Sequence, residues 1–172
     1  RALKAIEREI EHVRAAWRWA AQGRDHTLLG QAAASLFHFY DMRSWFHEGA
    51  EMFGAASAAL AGSSSPEAQL VHGHLAAREG WFLFYLGQQT EAKQLLERSL
   101  AQLRGLGARA ELIFPLNYLG AVCSYLGDYA ATGVHCREAL ALAEAEGDQN
   151  SSAIACNILG QAAFAQGQPA EA

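Results

Sequence analysis

Apolar positions in this chain recur at the spacing of a helix. In AKQLLERSLAQL, Leu95, Leu96, Leu100 and Leu103 form one stripe, set apart from Lys93, Glu97, Arg98 and Gln102. Long alternating strand patterns are absent. Followed along the chain, the pattern predicts helices near 2–22, 27–43, 46–61, 66–86, 89–105, 109–126, 129–146 and 149–166, with a ninth opening at 169. Turn chemistry fills the breaks: QGRD at 22–25, GSSSP at 62–66, GLGA at 105–108 and EGDQNSS at 146–152. Pro66 and Pro169 fall at first helical turns, where a missing N–H does no harm. Pro115 leaves two readings: the helix begins near Leu112, or it bends at the proline.

A fixed period overlies these helices. YLGQQTEA at 85–92, YLGDYAAT at 125–132 and AQGQPAEA at 165–172 place Gly87, Gly127 and Gly167 forty residues apart (127 − 87 = 167 − 127 = 40). Gly80, Gly120 and Gly160 precede them by seven each time. Such a period is the signature of stacked helical hairpins. The first set sits where one helix ends and the next begins, a place suited to the left-handed conformation that Gly adopts cheaply. The second set lies inside the first helix of each pair, where Gly costs about 1 kcal/mol relative to Ala. Three interior glycines in register imply a close approach by the second helix. The expected fold is an all-α solenoid of stacked antiparallel helix hairpins, wound as a right-handed superhelix. It forms one helical-repeat domain over 1–172, with divergent helices over 1–62 and regular repeats over 63–172.

Composition narrows the function classes. A net charge of −5, with 13 basic residues scattered singly, argues against direct nucleic-acid binding, which needs clustered Lys and Arg. No apolar stretch reaches the ~18 residues of a membrane span. Cys123, Cys136 and Cys156 are an odd count without CxxC spacing, which points to reduced thiols and a cytoplasmic location. The chain opens at Arg1 inside a helical pattern and stops just after GQPAEA begins another, so a fragment of a longer protein is expected.

The residues Leu119, Gly120, Gly127, Tyr129 and Ala139 resemble the tetratricopeptide repeat, with Gly80, Gly87 and Ala92 before them and Leu159, Gly160, Gly167 and Ala172 after. The period is longer than that family's usual ~34 residues. IEHVRAAWRWAAQGRD and the segment LLGQAAASLFHFYDMRSWFHEGAEMF are similar to the region after the nucleotide-binding module of bacterial signal-transduction ATPases, including LuxR-type and AfsR-type transcriptional regulators. That resemblance implies a sensor and interaction region gating an ATPase and an effector. No GxxxxGK[ST] phosphate loop occurs in these residues.

Carried onto the tetratricopeptide groove positions, the first helices present His74, Arg78, Trp81, Phe84 and Tyr85, then Asn117, Ser124 and Tyr125, then Asn157 and Gln161. The resemblance implies that Asn117 and Asn157 bond a peptide backbone or carboxylate; the alternative is a bond to the neighbouring hairpin's backbone. Trp81, Phe82, Phe84 and Tyr85, with Phe37, Phe39, Tyr40, Trp45 and Phe46, either line an apolar groove or fill space between helices. His72 and His74 are two apart and diverge on a helix, so they share no ion. Cys123 and Cys136 occupy positions that approach across one hairpin, and they read as buried small apolar residues rather than as a metal or redox site. No catalytic constellation is found, and no cofactor or metal is expected. These readings point to a non-catalytic interaction or sensor scaffold that binds a protein, a peptide or neighbouring domains of its own chain. Self-association through exposed terminal hairpins is a further expectation. The alternative is a small-molecule effector sensor with an aromatic pocket at Trp81 and Tyr85.

Overall fold

A computed structural model describes residues 2–167, with side chains from residue 9 onward. Among these residues the regular structure is entirely helical: α1 Ala2–Gln22, α2 His26–Met42, α3 Phe46–Leu60, α4 Pro66–Tyr85, α5 Gln89–Gly105, α6 Ile113–Tyr125, α7 Tyr129–Glu146 and α8 Gln149–Ala165. A single 3-10 turn, Ala110–Leu112, precedes α6. The ninth expected helix lies outside the described residues.

The helix starts have a common cause. Asp25, Ser65, Asp128 and Asp148 each accept a hydrogen bond from the backbone N–H three residues on, satisfying a donor that the first turn leaves open. Pro66 occupies the first position of α4. Pro115 also falls in a first turn, because α6 starts at Ile113 after the 3-10 segment, so no bend is needed.

The stops are regular as well. Gly87, Gly107, Gly127, Gly147 and Gly167 all have φ between 69° and 81°. The expected turn glycines therefore do take the left-handed conformation, and Gly107 and Gly147 do the same halfway between them. Arg24 and Ser44 fill this role without being glycine, at φ 53° and 55°.

The chain divides into two compact units, Arg1–Gln88 and Gln89–Ala172. In the first, each helix packs on its neighbour, and α1 also meets α3, as α2 meets α4. Its core is aromatic: Phe37, Phe39, Tyr40, Phe53 and Phe82 are at most 1% exposed. Phe82 touches both Phe37 (5.3 Å between centroids) and Phe53 (5.7 Å), while Trp17 packs on Phe53 at 5.2 Å. Each such ring contributes roughly 1.5–3 kcal/mol by leaving water. A Cβ on Gly49 would come within 2.8 Å of the Phe82 ring, so glycine is what lets α3 lie this close to α4.

In the second unit α6 packs on α5, α7 and α8, and α7 on α8. Its core uses smaller residues: Leu96, Leu116, Leu119, Val122, Cys123, Cys136, Ala139, Ala143 and Ala155 are fully buried. Gly120 behaves as its register requires. A Cβ there would meet Cys136 Sγ on α7 at an impossible 2.3 Å. Gly160 differs: it is exposed, and a Cβ would meet nothing within 4 Å among the described residues.

Candidate functional site

His74, Arg78, Trp81, Phe84 and Tyr85 share α4, where spacings of three and four residues bring side chains onto one face. Trp81 is the hub. Its indole Nε1–H donates to Asp41 Oδ1 at 3.0 Å, which fixes the ring. Phe84 stacks on it at 5.4 Å and 19°, and Tyr85 stands edge-on at 4.8 Å and 87°. On its other side Tyr85 stacks flat on Phe46 at 4.3 Å and 8°, yet the residue stays 49% exposed. Burial of the phenol, and secondarily the Asp41 charge, push the Tyr85 pKa up, so the hydroxyl is a donor at neutral pH. Arg78 donates from Nη1 to the His74 carbonyl at 3.0 Å, and its guanidinium carbon lies 5.8 Å from the centre of the Phe37 ring.

Not every aromatic of the expected groove belongs to this face. Phe37, Phe39 and Tyr40 fill the space between helices, as does Phe82. Ring type alone does not encode which side of a helix meets water.

In the second unit the expected positions form a sparser, polar set. Asn117 on α6 is 1% exposed, and its Nδ2 donates to the Ser151 carbonyl of α8 at 3.0 Å. Of the two roles open to this residue, the bond to a neighbouring helix's backbone is the one formed. Ser124 is half-buried and Tyr125 is 66% exposed. Asn157 is exposed and accepts from Gln161 Nε2 at 3.2 Å.

The remaining chemistry-bearing residues stay apart or inert. Burial raises the thiol pKa of Cys123 and carries that of Cys136 to about 11, with the neighbouring Cys123 adding to the latter. His135, pushed down chiefly by burial and then by Arg104, is neutral at pH 7, and its Nδ1 is buried without a partner. Among the described residues no group of three or more His, Cys, Asp and Glu could hold a metal ion, and no helix is long and apolar enough to cross a membrane.

One feature escaped the groove expectations altogether. A cleft of about 260 Å³ opens between α1 and α3, lined by Arg14, Trp17, Arg18 and Ala21 on one side and Glu48, Glu51, Met52 and Ala55 on the other. Each set is an i, i+3, i+4, i+7 stripe, and the two are 34 residues apart throughout (48 − 14 = 55 − 21 = 34). That repetition was the available signal. Two chain reversals make α1 and α3 run the same way. Trp17 Nε1 to the Met52 carbonyl (2.9 Å) and Arg24 Nη2 to the Ala61 carbonyl (3.3 Å) hold them level.

Comparison with known proteins finds no family model, no curated relative and no solved structure that matches this chain.

Proposed function

We propose that the chain is a non-catalytic interaction scaffold whose hairpins stack as a right-handed solenoid and take a protein or peptide along the concave face of the first helices. The observation that carries the reading is the part-exposed ring cluster Trp81, Phe84, Tyr85 and Phe46. Tyr and Trp dominate binding hot spots because a rigid ring covers much area at little entropic cost. Here Trp81 is fixed in advance by Asp41 and Tyr85 by Phe46, which lowers that cost further. The packing of consecutive helices within each unit, together with the next-but-one pairs α1–α3, α2–α4 and α6–α8, supports stacked hairpins. Rings already stacked at 4.3–5.4 Å fill the space between them, which favours a partner laid across them over a small molecule enclosed by them.

The resemblance to signal-transduction ATPases supplies a setting: a regulatory region of a bacterial signalling ATPase or transcriptional regulator, working in the cytoplasm. Selecting peptides from a displayed library against the intact chain tests the binding claim. Binders rich in aromatic and aliphatic residues are expected, with affinity falling about tenfold or more on Tyr85→Ala, the size of a hot-spot loss. Selected binders indifferent to Tyr85→Ala and Trp81→Ala would remove α4 from the function.

A further inference from the structure

The α1–α3 cleft separates charge by wall. Both cations, Arg14 and Arg18, come from α1, and both carboxylates, Glu48 and Glu51, come from α3. Between them lie Trp17, only 4% exposed, and Met52, with Ala21 and Ala55 leaving room at the far end. Arg14 is held in place. Its Nε donates to the Tyr40 hydroxyl at 3.2 Å, its Nη1 to Glu11 at 2.8 Å, and its guanidinium carbon sits 5.4 Å from the Trp45 ring centre. Among the described residues two of its five N–H donors are thereby used, leaving donors for another acceptor. Arg18, Glu48 and Glu51 are exposed and make no ion pair among the described residues, so the opposite walls do not neutralise each other directly.

Complementarity narrows the occupant. A simple anion would meet two carboxylates, and a simple cation two guanidinium groups; a molecule carrying both charges satisfies both walls at once. The volume is just below the roughly 300–1,000 Å³ of common small-molecule pockets, which suits something smaller than a nucleotide. The buried indole and the thioether give an apolar portion a surface to cover. We propose that this cleft binds a zwitterionic small molecule of the amino-acid class, its carboxylate on Arg14 and Arg18, its ammonium on Glu48 and Glu51, and its side chain against Trp17 and Met52. The site is separate from the α4 ring cluster, and either can fail without the other.

Trp17 is the reporter, because the residue lines the cleft and its indole N–H is held by the Met52 carbonyl on the opposite wall. The intact, isotope-labelled chain is titrated with L-leucine and L-methionine, and with isocaproate and isoamylamine, which carry one charge each. The Trp17 indole resonance is expected to shift saturably with at least one amino acid. Affinity for either single-charge analogue should be about tenfold or more weaker, the loss of one charge-assisted contact set. Arg18→Gln and Glu51→Gln, at exposed positions, should each weaken amino-acid binding by a similar factor. No saturable shift with either amino acid up to about 10 mM, the regime of very weak binding, overturns the proposal. So does equal binding of the single-charge analogues, a comparison that needs no variant.

Discussion

Gly120 and Gly160 occupy the same place in successive repeats and offer a matched test of close helix packing. Replacing either by Ala improves intrinsic helix propensity by about 1 kcal/mol. At Gly160 no atom of the described residues lies within 4 Å of the added methyl, so that gain should appear whole. At Gly120 the methyl would sit 2.3 Å from Cys136 Sγ, more than an ångström inside the ~3.5–4.0 Å of an ordinary contact. Cys136 is fully buried, so its sulfur cannot swing into solvent. Overpacking of this kind costs about 1–3 kcal/mol, which offsets or exceeds the propensity gain. Gly120→Ala should therefore leave the protein between about 0 and 2 kcal/mol less stable, and Gly160→Ala about 1 kcal/mol more stable. Denaturant unfolding of both variants measures the difference. In the combination Gly120→Ala with Cys136→Ala, a favourable coupling of about 1 kcal/mol should appear because the clash is gone. Equal stabilisation by the two single substitutions would refute the reasoning.

Other outcomes follow from the same geometry. Cys156 is exposed, whereas Cys123 and Cys136 are buried with raised thiol pKa values, so alkylation at neutral pH followed by mass spectrometry should label Cys156 first and the other two only on unfolding. The pKa of folded His135 lies below its ordinary 6.5, so below that pH the unfolded chain takes up a proton that the folded chain refuses. Stability should fall as pH drops from about 7 to the folded pKa and level off beneath it, and His135→Gln should flatten this slope in unfolding curves across pH. Asp148→Ala removes the cap on Ser151 N–H and should cost about 1 kcal/mol. Because Ser151 holds the Asp148 pKa below 3.8, that contribution is present above 3.8 and disappears as pH falls through the folded value, which acid titration of the variant and the parent would reveal.

The parts of this fold that local chemistry dictates could be read from the residues. Left-handed turns favour Gly, so Gly87, Gly127 and Gly167 announced them; Arg24 and Ser44 do the same job silently, because nothing in their side chains marks the conformation. The two readings of Pro115 were separated only by the 3-10 segment that lets α6 start late. Surroundings were harder. Asn117 and Asn157 share a repeat position, yet Asn117 has α8 to bond and Asn157 has no described helix following it. Trp81 and Phe82 are adjacent and chemically alike, but a 100° turn of the helix leaves one half-buried in the α4 ring cluster and sends the other into the core. The α1–α3 cleft was hidden for a related reason: its two stripes acquire meaning only when one helix lies level beside the other.

The claim that α4 presents a recognition surface is tested most directly by fluorine NMR. The chain has four tryptophans, Trp17, Trp19, Trp45 and Trp81, so uniform 5-fluorotryptophan labelling gives four assignable signals. Titration with a peptide selected against the intact chain should move the Trp81 signal saturably while Trp19, 65% exposed on α1, stays in place. A bound peptide that leaves Trp81 unmoved would contradict the account.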